Sequence, residues 1–249
     1  MIKYYSQISE LKECITAMTE RIALVDWDGT IRKDFTIKPW VRHLMHARLL
    51  SSKVNDQLER LFLSYYENMI SHDDLARLSA TVYAHSLSGR SRRLIARHAH
   101  RFLISDPNQL FGFSMKLLST LREQGIAVIV ISGAPMEILQ LYRRSLGVEA
   151  VHGLDIESKN GLYTGNVLRN PGILMEKEEV VQQILGQYNA RVVMAMGNSP
   201  SDSPLFQAAP VNVIVNNTSL RTGKREFHIT ADISEDQILQ DIKKEIADL

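Results

Sequence analysis

Two aspartates, Asp26 and Asp28, flank a single tryptophan at the end of the apolar run in the stretch IALVDWDGT. Like charges at the edge of a core repel each other and lose hydration, so such a pair needs a physical reason to be there. Asp-Gly is common in tight turns, and a turn is one interpretation. The other is a catalytic pair held by a cation, in which the two carboxylates take different roles.

The elements that must position this pair alternate between strand and helix patterns. Short continuous apolar runs are typical of buried parallel strands, and the segments between them have helical spacing. Asn160-Gly161 indicates a tight hairpin turn. The patterns predict helices at 3–20, 113–124, 135–146, 176–187, 203–209 and 234–248, strands at 22–26, 127–132, 149–152, 192–196 and 211–215, and a hairpin at 154–167.

A wholly helical stretch separates the first strand from the rest of this pattern. From residue 39 to residue 102 the apolar spacing is helical, and polar breaks divide the stretch into about four helices. We therefore predict an α/β fold: a Rossmann-like doubly wound parallel sheet with an inserted all-helical cap domain. The discontinuous core covers 1–31 and 105–249, and the cap covers 32–104.

Composition excludes several classes of protein. The chain has 249 residues, of which 45% are apolar, and a net charge of +1, as expected of a globular domain. Its longest apolar runs are too short to cross a bilayer. The first residues show no secretory pattern and Cys14 is the only cysteine, so we expect a cytoplasmic protein without disulfides, and no membrane partner.

The predicted cap is basic. Residues 32–101 hold 13 Lys and Arg against 6 Asp and Glu, and six of the eight histidines. Such a segment indicates either an anionic ligand or a solvated helical face. The arginine-rich segment 90–101 has no interleaved aromatic residues, so we do not expect nucleic-acid binding. The histidines lack an added carboxylate or cysteine at ligand spacing, so we expect no zinc site.

Further polar groups follow other predicted strands. Ser132 and Gly133 follow one strand, Asn198 and Asp202 follow another, and Lys177 opens the helix before that second strand. Each has an ordinary explanation as a turn residue or a surface lysine. Because the carboxyl ends of parallel strands meet at one edge of the sheet, where ligands bind, their joint occurrence favours a site.

These residues carry a family resemblance. DWDGT, IVISGAP, a lysine that opens a helix, and GNSPSDSPLF resemble the four ordered motifs of the haloacid dehalogenase-like hydrolases. The wider sequence resembles the branch with phosphoserine phosphatase and a helical cap. The resemblance implies a Mg²⁺-dependent phosphatase that hydrolyses a phosphate monoester through an aspartyl-phosphate on Asp26, with Asp28 as the acid and base.

The resemblance also implies roles for the remaining motif residues. Ser132 and Gly133 would hold phosphate oxygens at a helix N-terminus, and Lys177 would neutralise the phosphoryl group. Asp202 would hold a metal-bound water or orient Lys177, and Thr30 would fix the turn by a local hydrogen bond. The metal ligands would be Asp26, the backbone carbonyl of Asp28, and Asn198.

The sequence departs from the family pattern at two positions. Asn198 stands where the family usually has a metal-binding aspartate, which predicts weaker Mg²⁺ binding. Phe35 stands where phosphoserine phosphatases have a glutamate for the substrate ammonium group, so phosphoserine is disfavoured as the substrate. Phe35 and Trp40 indicate either an apolar leaving group or ordinary packing of the cap.

Two alternatives remain beside a phosphatase. Asn198 is compatible with a catalytically weak or inactive binding module, and the same fold can transfer a phosphoryl group to an organic acceptor. The expected partner is a small phosphorylated substrate, with a phosphopeptide as a further candidate. The sequence leaves the substrate's identity and the oligomeric state open.

Overall fold

The computed structural model describes residues 21–105, 109–187, 190–230, 235–247 and 249. The helix predicted at 3–20, and Cys14 with it, lies outside the described residues. In the described part of the chain, no helix is long and apolar enough to cross a membrane.

Seven strands form one sheet in which the first strand is central. Along the sheet the order is β4-β3-β2-β1-β5-β6-β7, and neighbouring strands are parallel except for the antiparallel pair β3 and β4. The order reverses on either side of β1, so β1 lies at the topological switch point where α/β sheets bind ligands. The strands are β1 Arg21–Val25, β2 Ala127–Pro135, β3 Ala150–Lys159, β4 Leu162–Arg169, β5 Arg191–Gly197, β6 Val211–Val215 and β7 Arg225–Ile229.

Nine α-helices are present among the described residues. Five of them lie between β1 and β2, and the first four of these form the four-helix segment: α1 Ile37–His46, α2 Ser52–Tyr66, α3 His72–Leu87 and α4 Arg92–Ser105. The others are α5 Gly112–Glu123, α6 Met136–Leu146, α7 Leu174–Gln187, α8 Ser203–Ala208 and α9 Glu235–Ala247, with a 3₁₀ turn at Pro200–Asp202 before α8.

The central strand is buried on both faces, which explains its continuous apolar sequence. Ile22 and Leu24 belong to a core layer that includes Val180 of α7, whereas Ala23 and Val25 belong to the larger layer that includes the four-helix segment. The strand is thus fixed from both sides, and the residues that follow Val25 emerge from a rigid scaffold.

The α/β fold class is confirmed, and the helices and strands predicted within the described residues are present, with small differences at their ends. Asn160 and Gly161 have φ angles of 53° and 78°, as a two-residue hairpin turn requires. The sequence analysis missed β7, an edge strand whose residues REFHI are mostly partly exposed or exposed. The sequence analysis also predicted too short a strand at 149–152, because the second half of β3 pairs only with β4.

Candidate active site

The end of β1 places the two aspartates in a cleft. The Asp26 N–H donates to the Met196 carbonyl of β5 at 2.9 Å, which extends the sheet pairing by one residue. The chain then turns away at Gly29, whose φ of +77° is strained for any residue with a Cβ. Asp26 is buried and Asp28 partly buried, and both line the same cavity.

A buried lysine joins two carboxylates at this site. Lys177 Nζ donates to Asp26 Oδ1 at 3.2 Å and to Asp202 Oδ1 at 2.7 Å. All three side chains are less than a tenth exposed, so their charges interact in a medium of low polarity. Lys177 lies in the first turn of α7, and its hydrogen bond to Asp202 is the contact that an orienting role for Asp202 would require.

The second oxygen of Asp202 organises the loop after β5. Asp202 Oδ2 accepts the backbone N–H groups of Asn198 at 2.9 Å and Ser199 at 3.0 Å, and the Ser199 hydroxyl at 3.2 Å. One carboxylate therefore fixes both the ammonium of Lys177 and the loop that carries Asn198.

Asp28 is held by a residue that the sequence analysis did not single out. Thr36 donates its backbone N–H to Asp28 Oδ1 at 2.9 Å and donates its hydroxyl to the same oxygen. The Thr36 hydroxyl in turn accepts from Trp27 Nε1 at 2.9 Å. Threonine directly before a helix often caps it, but the Thr36 side chain makes no capping hydrogen bond and donates to Asp28 instead.

The environment changes the acidity of these groups. Burial raises the pKa of Asp28 to about 6, and the two hydrogen bonds from Thr36 act in the opposite direction. Burial also raises the pKa of Asp26 to about 7, although the Lys177 ammonium lowers it. Burial lowers the pKa of Lys177, but the carboxylates of Asp202 and Asp26 raise it by more, so the lysine is charged. An acid that holds its proton near pH 6 is suited to proton transfer.

Ser132 and Gly133 also line the cavity. They belong to β2, and α6 begins only at Met136, so the sequence-based placement at a helix N-terminus is wrong. The extended backbone continues to Pro135 because that residue pairs with Leu154 of β3. A Cβ on Gly133 would lie 2.8 Å from Gly172 Cα, so only glycine permits this approach.

Oxygen donors for a hard cation meet at the end of β1. The single hydroxyl proton of Thr30 lies within reach of two acceptors, Asp26 Oδ2 at 3.0 Å and Asn198 Oδ1 at 3.3 Å. Carboxylate, amide and carbonyl oxygens are the ligands that Mg²⁺ prefers, so the donor set fits this ion, with one negative charge fewer than the same set with aspartate at position 198. Among the described residues, no group of three or more His, Cys, Asp or Glu side chains is placed to hold a metal.

The cavity brings together most of the residues predicted for the site. It encloses about 730 Å³ including its mouth, and it is lined by Asp26, Asp28, Phe35, Ser132, Gly133, Lys177 and Asn198, among others. Thr30 and Asp202 lie behind this lining, fully buried. The structure places Trp40 elsewhere: it is buried, and its Nε1 donates to Tyr83 Oη at 2.6 Å and to Glu137 Oε1 at 3.3 Å.

Several lining residues escaped the sequence analysis. Phe62 and Tyr65 of α2, and His72 and Leu75 of α3, come from the four-helix segment and face the catalytic residues. Their apolar spacing marks them as helix residues that face inward, but no pattern distinguishes a residue that lines a cavity from one that fills a core.

A comparison with protein families gives one match that spans most of the described chain. The model of the haloacid dehalogenase-like hydrolase family matches residues 23–207. A comparison with curated proteins found no match.

Solved structures with similar folds include three that cover most of the chain. A phospho-aspartyl intermediate analogue of phosphoserine phosphatase has a TM-score of 0.63 at 16% identity, over 90% of this chain and 99% of that one. A protein of unknown function from Bordetella pertussis Tohama I has a TM-score of 0.63 at 18% identity, over 81% and 92%. A HAD family hydrolase from Salmonella enterica serovar Typhi has a TM-score of 0.64 at 15% identity, over 96% and 80%. At these identities the likeness concerns the fold.

Proposed function

Because the chain belongs to the haloacid dehalogenase-like hydrolase family, we propose that it is a Mg²⁺-dependent phosphatase acting on a small phosphate monoester. The observation that carries this proposal is the position of Asp26, buried at the carboxyl end of the central strand and 3.2 Å from the Lys177 ammonium. The names of similar structures, which include phosphoserine phosphatase and its phospho-aspartyl analogue, support the reaction type.

Asp26 and Asp28 divide the chemistry between them. A carboxylate oxygen of Asp26 attacks phosphorus, the bond between phosphorus and the ester oxygen breaks, and an aspartyl-phosphate forms. Asp28 gives its proton to the departing alkoxide. Asp28 then takes a proton from water as the water attacks phosphorus, and the bond to Asp26 breaks to release phosphate. The hydrogen bonds from Thr36 hold Asp28 in place for both steps.

The other residues stabilise charge and exclude water. Lys177 neutralises the phosphoryl oxygens, while Ser132 and the backbone at Gly133 also bind them. The helical segment 32–104 acts as a cap, since α1, α2 and α3 contribute the upper lining of the cavity.

Asp26, the backbone carbonyl of Asp28, and Asn198 would hold Mg²⁺. When bound, the ion offsets the repulsion between the phosphate and Asp26. The Thr30 hydroxyl lies within hydrogen-bond distance of both Asp26 Oδ2 and Asn198 Oδ1, so these two oxygens are close to the same point. Because Asn198 brings no negative charge, we expect this chain to need a higher Mg²⁺ concentration than the same site with aspartate at position 198.

Phosphate release from 4-nitrophenyl phosphate, with and without Mg²⁺, tests the proposal. We expect release that depends on Mg²⁺, and Asp26→Asn should lower it by at least about a thousandfold. Asp56→Asn, an exposed change in α2, is the matched control and should leave the activity unchanged. Release by Asp26→Asn at the wild-type rate would rule out Asp26 as the nucleophile. No release at any Mg²⁺ concentration would favour a binding module.

Added alcohols separate hydrolysis from phosphoryl transfer. A phosphatase should release inorganic phosphate as the main product even when an alcohol is present. Formation of a new phosphate ester in its place would assign the chain to the phosphotransferases of the same fold.

A further inference from the structure

The wall of the cavity opposite the catalytic residues is made of rings. The ring centroid of Phe35 lies 5.0 Å from that of Phe62 and 6.4 Å from that of Tyr65. Tyr65 meets the imidazole of His72 edge-on at 6.0 Å. These four rings come from α2, α3 and the segment before α1, and all four line the cavity. Aromatic rings that contact each other at these distances form a continuous apolar surface.

The charged side chains that line the cavity belong to the candidate catalytic site and not to the aromatic wall. Among the described residues that line it, Asp26, Asp28 and Lys177 are the residues that carry a formal charge. All three belong to the phosphate end, and Lys177 is already paired with two carboxylates. The rest of the lining therefore offers no ionic partner to a charged group on the substrate.

Two polar side chains of the remaining lining are engaged within the protein, whereas Nδ1 of His72 is buried without a hydrogen-bond partner among the described residues. The Ser79 hydroxyl donates to the Leu75 carbonyl at 2.6 Å. The Asn170 amide donates to the Ala76 carbonyl at 2.9 Å and accepts from Gly172 N at 3.2 Å. Burial, and next to it the nearby Lys177 ammonium, lower the pKa of His72, which disfavours the charged form of its ring. An ionic leaving group would lose its hydration here without a compensating partner.

We propose that the substrate is a phosphate monoester of an uncharged and largely apolar alcohol or phenol, whose leaving group packs against Phe35, Tyr65 and His72. This inference rests on the phosphatase activity proposed above, and it narrows the substrate class of the same site. It excludes phosphorylated amino acids and phosphorylated carboxylic acids as preferred substrates, because the cavity has no group to pair with their additional charges.

Three esters of primary alcohols test the preference, assayed with the full chain and Mg²⁺. Benzyl phosphate has an uncharged aromatic leaving group, phosphoethanolamine carries an ammonium, and 2-phosphoglycolate carries a carboxylate. We expect kcat/KM for benzyl phosphate to exceed both others by about tenfold or more. Equal or faster hydrolysis of either charged ester would overturn the proposal.

Binding of phosphonates separates this proposal from the proposed function, because their carbon–phosphorus bond is not hydrolysed by the chemistry above. Calorimetry should show benzylphosphonate binding about tenfold or more tightly than 2-aminoethylphosphonate. If none of the three esters is hydrolysed but this binding preference is found, the proposed function fails and the inferred apolar subsite stands. Equal or tighter binding of 2-aminoethylphosphonate overturns the subsite, whatever the activity.

Variants of the aromatic wall test whether its rings cause the preference for benzyl phosphate. Tyr65→Ala should lower the ratio of kcat/KM for benzyl phosphate to that for 2-phosphoglycolate about fivefold or more. Leu63→Ala, on the same helix with its side chain 55% exposed and outside the cavity, is the control and should keep the wild-type ratio. Phe35→Leu, which keeps an apolar side chain, is a second variant in case Tyr65→Ala unfolds. An unchanged ratio in both folded wall variants would contradict the proposal.

Discussion

Lys177 Nζ lies 2.7 Å from Asp202 Oδ1, and both side chains are buried between α7 and the turn that follows β5. This ion pair joins the Lys177 ammonium to the loop that carries Asn198, because the second oxygen of Asp202 accepts the N–H groups of Asn198 and Ser199. The charge at the site and the position of its candidate metal ligand therefore depend on one carboxylate.

Asp202→Asn should be strongly destabilising. An amide has one acceptor oxygen, so its NH₂ group must face either the Lys177 ammonium or the backbone N–H groups of the loop. We expect the free energy of unfolding, measured by urea denaturation, to fall by about 3 kcal/mol. Asp236→Asn removes the exposed ion pair with Lys116 and should change it by less than about 1 kcal/mol. Similar losses in both variants would contradict the structural role of Asp202.

Asn198→Asp should strengthen Mg²⁺ binding. The added negative charge lies beside Thr30 and Asp26, among the donors expected to hold the ion. We expect the Mg²⁺ concentration that gives half-maximal phosphate release to fall by about tenfold, equivalent to about 1.4 kcal/mol.

Gln182→Glu makes the same amide-to-carboxylate change on the exposed face of α7 and serves as the control. Its Mg²⁺ dependence should match that of the wild type. An unchanged Mg²⁺ requirement in Asn198→Asp would show that residue 198 does not hold the metal.

The position of a candidate site residue could be predicted from the sequence where it depends only on the end of a strand. Asp26 and Asn198 each follow a buried strand of a parallel sheet and Ser132 lies near the end of another, so the topology brings them to one edge whatever the details of packing. Lys177 joins them because the helix before β5 starts at the same edge. A short motif therefore carried enough information for these positions.

Other features depend on tertiary contacts that local patterns do not encode. Thr36 holds Asp28 only because the chain after β1 folds back over eight residues. Phe35 and Trp40 are both aromatic residues at the start of the four-helix segment, yet one lines the cavity and the other is hydrogen-bonded to Tyr83. The side of a helix that meets a cavity is decided by its neighbours, which the sequence of one helix does not specify.

Stability should fall with rising pH because of Glu137. This partly buried carboxyl in the first turn of α6 accepts hydrogen bonds from Tyr83 and Trp40 of the four-helix segment. Burial raises the pKa of Glu137 above its ordinary value of 4.5, so the folded protein keeps this proton to higher pH than the unfolded chain does. The free energy of unfolding therefore decreases as pH rises from about 4.5 to the folded pKa, by at most about 1.4 kcal/mol for each pH unit of that interval.

Glu137→Gln should remove this dependence, since glutamine keeps the size of the side chain and does not titrate. We expect its stability relative to wild type, measured by urea denaturation, to be higher at pH 8 than at pH 4.5. Glu149→Gln, an exposed change just after α6, should show the same difference from wild type at both pH values. A Glu137→Gln difference that is constant with pH would show that this carboxyl does not titrate on unfolding.

Gly133→Ala should damage both stability and activity, because the added Cβ would lie 2.8 Å from Gly172 Cα and 3.3 Å from its nitrogen. Backbone atoms cannot rotate away as a flexible side chain can, so the phosphate-binding segment must move. We expect a loss of about 1 to 3 kcal/mol in the free energy of unfolding. We also expect kcat/KM for phosphate release to fall by about tenfold or more.

Gly186→Ala is the matched control, because a Cβ at this exposed position of α7 meets no atom within 4 Å. Alanine also favours the helix, so this variant should gain about 0.5 to 1 kcal/mol of stability and keep its activity. Its melting temperature should therefore rise or stay unchanged, and its rate of phosphate release should match that of the wild type. In Gly133→Ala both quantities should fall. A Gly133→Ala protein that melts and turns over like the wild type would show that the close approach of the two segments is not required for the site.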